Sequence, residues 1–100
     1  MAAEPVVNPG EIWRLEDGSL RIVLSNAIYN SSQLNQVITA VVGPPPEQFE
    51  PFAVGTDAGT VFADRLAMHP RHWLTQHVAT LTGRQLADAR RHLTFLLHDD

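Results

Sequence analysis

Polar and apolar side chains alternate through Glu11-Ile12-Trp13-Arg14-Leu15, which predicts a half-buried strand entered from the Pro9-Gly10 turn. Residues 1–8 ahead of that turn read as a flexible leader to a single domain spanning 1–100. Glu16-Asp17-Gly18-Ser19 carries an Asp-Gly pair, a hairpin signal, and Leu20 to Leu24 supplies the returning strand. Ser25-Asn26 can cap one helical turn through Ala27-Ile28-Tyr29, closed by Asn30-Ser31-Ser32. Val37 to Val42 is a run of β-branched and small apolar residues, the pattern of a strand buried on both faces. It stops at Gly43-Pro44-Pro45-Pro46, because consecutive prolines cannot join a sheet interior. Phe49 to Val54 and Thr60 to Leu66 read as further strands around a Thr56–Gly59 turn. His69-Pro70-Arg71-His72-Trp73 breaks the pattern, and Leu74 to Thr80 reads as a last short strand.

The end of the chain changes period. Thr82-Gly83-Arg84-Gln85 has capping-box spacing, and Leu86, Ala89, Leu93 and Leu97 then fall three to four apart on one helical face. Phe95 and Leu96 lie near that face, and Arg84, Asp88, Arg90 and Arg91 take the other side. The expected fold is therefore mainly β (α+β): a strongly curved antiparallel barrel of five to six strands with a C-terminal amphipathic helix. That architecture serves many functions.

Composition narrows the classes. The 44% apolar share is that of a globular chain, and no apolar run is long enough to span a membrane. The N-terminus lacks the basic start and apolar stretch of a signal peptide, so a cytoplasmic address is expected. With no cysteine there is no disulfide framework, thiol nucleophile or thiolate metal site. The net charge of −4 argues against a broad electrostatic footprint for nucleic acid, although a local arginine patch can act inside an acidic chain. All seven basic residues are arginine.

In its first half the chain resembles the PemK/MazF family of toxins from type II toxin–antitoxin systems. The motifs are Gly10-Glu11-Ile12-Trp13, then Val23-Leu24-Ser25, Tyr29-Asn30 and the valine-rich Val37 to Val42, in the family's order. The second half is similar both to this family and to its structural relative CcdB, through Pro51 to Leu66 and Val78-Ala79-Thr80-Leu81-Thr82. The resemblance covers roughly positions 10 to 97. It implies an SH3-like or CcdB-like barrel and a homodimer neutralised by a cognate antitoxin. The implied activity is metal-independent cleavage of single-stranded RNA, with no cofactor.

Such cleavage needs a base for the 2′-hydroxyl, an acid for the leaving oxygen and a cation for the phosphorane. The arginine that the family places before its second strand falls here on Ser19, and its threonine falls on Gly43. The loop between the first two strands is reduced to Glu16-Asp17-Gly18-Ser19. Arg21 lies two positions beyond Ser19 and Thr39 four before Gly43, so each keeps the parity of the position it would replace. Asp64 matches the strand aspartate of Kid-like members. Arg21, Thr39 and Asp64 are thus the candidate catalytic residues, with Arg14, Ser19, Asn26 and Arg65 as candidate RNA or antitoxin contacts. Each also has a structural reading: Arg21 as the exposed side of a strand, Thr39 as a β-former, Asp64 as the ion-pair partner of Arg65 or Arg14.

Among the histidines, His69, His72, His77, His92 and His98 can supply acid–base chemistry near neutral pH. No partner completes a zinc set around His69 and His72. Trp13 and Trp73 can stack bases or anchor a core or dimer interface. A CcdB-like gyrase poison ranks second. That resemblance would require an apolar C-terminal hook, and this chain finishes Leu97-His98-Asp99-Asp100. A toxin that retains antitoxin binding without activity is the third reading. Pro44-Pro45-Pro46 can serve either as a substrate-gating loop or as a spacer between two strands.

Overall fold

The computed structural model describes residues 6–97; the side chain of Leu97 and the tail with His98 lie outside the description, as does most of the expected leader. Strand β1 (Glu11–Leu15) turns through a tight hairpin into β2 (Leu20–Val23). The Asp17 carboxylate accepts from the Ser19 backbone N–H at 2.9 Å and from its hydroxyl at 2.6 Å, while Gly18 takes φ +86°, a conformation that glycine adopts freely. Helix α1 (Ala27–Asn30) starts where the Asn26 side chain accepts from Tyr29 N–H at 2.9 Å. Strands β3 (Gln36–Gly43), β4 (Ala53–Thr56), β5 (Gly59–Pro70) and β6 (Leu74–Thr80) follow, with a 3-10 turn over Arg71–Trp73 between the last two. Helix α2 (Gly83–Leu97) closes the chain. Its capping box forms as expected: Thr82 Oγ1 accepts from Gln85 N–H at 3.1 Å, and Gln85 Oε1 accepts from Thr82 N–H at 3.0 Å.

All described strands join one antiparallel sheet in the order β4-β5-β3-β2-β1-β6. Among the described residues the sheet has six strands and does not close, since β4 and β6 remain as edges. The expected mainly β (α+β) class with a C-terminal helix holds, with an open sheet in place of a closed barrel. Period-two alternation gives it two apolar faces. Ile12, Ile22, Ala40, Val42, Val54 and Val61 pack with Leu81 and Ala89, so this face is covered by α2. Trp13, Leu15, Val23, Val37 and Leu74 pack together on the opposite face, joined by Val7. The burial of Val7, whose carbonyl accepts from Asn30 Nδ2 at 2.9 Å, removes it from the expected flexible leader.

β3 is buried on both faces, as its composition suggests, but by halves. Val37 and Thr39 are covered on the opposite face, Ala40 and Val42 on the helix face. Two expectations fail in the proline-containing stretches. Phe49 to Val54 is not a strand, for Phe49 is 90% exposed and pairing begins only after Pro51, where backbone N–H donors resume. β5 does not break at His69. It runs on to Pro70, which is tolerated at the end of a ladder where no further donor is required. Between Val41↔Phe62 and Ala40↔Leu66 the register shifts, leaving Ala63, Asp64 and Arg65 as a bulge on β5.

Candidate functional site

The hairpin end of the opposite face collects the chemistry. Arg21 pairs across the ladder with Trp13 on β1 and Val41 on β3, so its side chain leaves the face on which Trp13 is packed. The β2–β3 register of Leu20↔Val42 sets Ser19 opposite Gly43, and the next pair on that face is Arg21↔Val41. Arg21 thus lies one same-face step along the ladder from the position that the resemblance assigns to the family's arginine.

His69 comes to the same face from β5, paired with Val37. Its ring is tilted against that of Trp73, with centroids 5.7 Å apart. The 3-10 turn after β5 carries Trp73 back to the hairpin, where Glu16 N–H donates to the Trp73 carbonyl at 3.1 Å. Leu15, Glu16, Asp17 and Trp73 line a cavity of about 270 Å³ at this junction.

Charge links these groups. Burial is the main cause that holds the His69 imidazole below its ordinary value, the positive charge of Arg21 adds to it, and Asp17 opposes. Asp17 is held below its own ordinary value first by the Ser19 hydroxyl, then by the Ser19 backbone N–H, with Arg21 contributing further. His69 Nε2 is buried without a hydrogen-bond partner among the described residues, so a proton placed there would gain no acceptor. The rim therefore combines a fixed cation, a ring favoured in its neutral form, a half-exposed indole and a carboxylate hairpin.

The other sequence candidates are dispersed. Thr39 shares the face of Arg21 but is fully buried, and its hydroxyl donates to the Ala67 carbonyl at 3.3 Å. It fits the β-former reading, and in this structure a substrate cannot reach it. Asp64 is exposed in the β5 bulge, and no described hydrogen bond or ion pair joins it to Arg21 or Thr39. Its expected structural partners are engaged elsewhere. Arg65 bonds Glu50 at 2.9 Å and lies over the Phe62 ring at 4.3 Å, and Arg14 donates to the Gly18 carbonyl at 3.1 Å. Arg14 pairs with Leu20 and so leaves the face away from Arg21. Asn26 is spent on its helix cap and Ser19 on the hairpin aspartate.

Of the two tryptophans, Trp13 is core: it is buried, donates from Nε1 to Glu11 at 3.1 Å and stacks on His77. Trp73, 40% exposed, remains free to stack. Glu16 and Asp17 are the site residues the sequence did not point to. The Asp-Gly signal places them in a turn, but only the return of the chain at Trp73 makes that turn one wall of a cavity.

No family model matches the chain, and no curated protein matches it in sequence. Solved structures do match in fold. A MazE-MazF structure (Form-III) from Deinococcus radiodurans superposes with a TM-score of 0.81 at 25% identity, covering 93% of this chain and 97% of that one. An endoribonuclease from Mycobacterial species superposes at 0.80 with 16% identity, over 96% of this chain and 95% of that one. A second endoribonuclease from Mycobacterial species, in complex with its cognate antitoxin, gives 0.76 at 18% identity over 94% and 95%. The chain has the fold of the MazF toxins.

Proposed function

We propose that this chain is a PemK/MazF-type toxin of a type II toxin–antitoxin system, a cytoplasmic endoribonuclease that cuts single-stranded RNA without a metal ion. The observation that carries the reading is Arg21: on the fold of solved endoribonucleases, it faces the rim where a neutral-leaning imidazole and an exposed indole converge. In the reaction, the 2′-oxygen attacks the adjacent phosphorus as its proton passes to a base. The bond to the 5′-oxygen breaks and that oxygen takes up a proton, leaving a 2′,3′-cyclic phosphate and a 5′-hydroxyl. The Arg21 guanidinium offsets the charge that gathers on the phosphorane oxygens. His69, favoured in its neutral form and buried at Nε2, is the proton acceptor this reading assigns, through Nδ1.

The partners follow from the same likeness. Neighbours of this fold include MazE-MazF and an endoribonuclease in complex with its cognate antitoxin, and the reading gives this chain a cognate antitoxin of its own. It also gives a homodimer. Leu66 and Met68, in register with Ala40 and Ile38, stay 42% and 54% exposed where α2 does not cover them, an apolar strip suited to a second copy.

The test is incubation of wild-type and Arg21→Ala protein with a long single-stranded RNA in EDTA, with the cut ends mapped. Discrete cuts by wild type that vanish in the variant are expected. RNA left intact by wild-type protein would overturn the nuclease reading and leave a fold retained for antitoxin binding.

A further inference from the structure

The cavity at the hairpin rim is built unlike a phosphate site. Four residues line it, Leu15, the half-exposed Trp73 and the acidic pair Glu16 and Asp17, and most of the lining is apolar. The oxygens of Asp17 are not equivalent: Oδ1 is committed to Ser19 by two hydrogen bonds. The Glu16 carboxylate makes no hydrogen bond or ion pair within the described residues, yet its backbone N–H is tied to the Trp73 carbonyl at 3.1 Å. That bond brings Glu16 and Trp73 together at one cavity, with His69 packed against the indole and the Arg21 charge reaching Asp17 and His69 alike.

We propose that this cavity is a nucleobase subsite, in which Trp73 stacks a base of the single-stranded RNA and Glu16 accepts hydrogen bonds from its amine-bearing edge, guanine being the base it selects. The chemistry is that of complementary edges. Every base offers a π-face to an indole, so Trp73 gives affinity with little selectivity. Selectivity falls to the carboxylate, which only accepts hydrogen bonds. Guanine presents two donors side by side, N1–H and N2–H₂, matching the two oxygens of one carboxylate, whereas uracil presents a carbonyl on each side of its single N–H. In a single strand that edge is open. The two acidic residues at the cavity repel phosphate, so the base enters and the backbone stays outside. This subsite rests on the RNA-cleaving reading for its physiological substrate, but its test does not need cleavage.

The chain holds two tryptophans, and Trp13 is buried, so emission changes on ligand binding report Trp73. The probes are 2′-O-methyl hexauridine and the same hexamer with one central guanosine, neither of which can be cut. Titrated against wild-type protein, the guanosine-bearing hexamer quenches the emission and binds at least about tenfold more tightly than the all-uridine one. Glu16→Gln, an exposed hairpin position, brings the two affinities together, and Trp73→Phe removes the quench. Equal affinity for both hexamers in wild type overturns the subsite, as does a guanosine preference that survives Glu16→Gln. Selective binding by a protein that leaves natural RNA intact would sink the nuclease reading alone. Cleavage with no base preference at any position flanking the cut would sink only the subsite.

Discussion

The two ends of the sheet's two faces are organised by different rules. Under α2, Ile12, Ile22, Ala40, Val61 and Ala89 are fully buried and contribute through apolar contact, so composition and spacing specify them almost completely. At the hairpin rim of the other face, Arg21, His69, Trp73, Glu16 and Asp17 are partly or wholly exposed and come from two separate segments, 16–21 and 69–73. There the backbone is fixed by a few local bonds, and the side chains are left available to a ligand. One region sets stability and tolerates little; the other is where the proposed chemistry lies, and most of it can be changed without unfolding the chain.

That division can be broken most forcefully in the core. Ile22→Ala is expected to cost about 3 kcal/mol, a fall in Tm of at least about 12 °C for a domain of this size. Arg21→Ala, its neighbour on the other face, is expected to move stability by no more than about 0.5 kcal/mol. Thermal unfolding of both variants checks the pair, and equal destabilisation would erase the distinction. Thr82→Ala removes the side-chain acceptor of the α2 cap and is expected to cost about 1 kcal/mol, read as a shift in urea midpoint, while RNA cleavage stays unchanged. Thr39→Val keeps the buried shape and removes a 3.3 Å hydrogen bond; cleavage is again expected to be unchanged, and a collapse of rate with intact folding would return Thr39 to the site.

The smallest effect is the dependence of stability on pH. His69 titrates below its ordinary value of 6.5 when folded, so between the two values the unfolded chain binds the proton and the folded chain does not. Its contribution is complete above 6.5 and is lost as pH falls toward the folded value. Urea midpoints of wild type are expected to decline across that acidic window, and His69→Gln to decline less. Parallel curves for the two proteins would show that the ring is not held neutral by its surroundings.

The same contrast explains what the sequence reveals. β1, its hairpin, β6 and the capped α2 are legible because each is set by local rules: alternation, an Asp-Gly turn, a Thr-x-x-Gln box and apolar residues at helical spacing. The stretch from Phe49 to Pro70 misleads because prolines and a three-residue bulge uncouple pairing from hydrophobic pattern. The choice of Arg21 starts from the family resemblance and takes only its parity from the strand itself, which is also local. Its association with His69, Trp73 and the hairpin was not legible, because it depends on β5 running past its expected end and on the 3-10 turn folding Trp73 back to Glu16. Thr39 shows the converse failure, since parity gives a face but not whether the side chain there is open to solvent.

The central claim is that RNA is cut on the face of Arg21, and Arg14 provides the matched control. The two arginines sit in adjacent register pairs of the same hairpin, Arg14↔Leu20 and Trp13↔Arg21, and leave opposite faces. The decisive measurement is the rate of single-stranded RNA cleavage in EDTA by Arg21→Ala and Arg14→Ala beside wild type. The account predicts a loss of at least about 100-fold for Arg21→Ala and a rate close to wild type for Arg14→Ala. Full activity in Arg21→Ala, or a loss confined to Arg14→Ala, would place the chemistry elsewhere and contradict it.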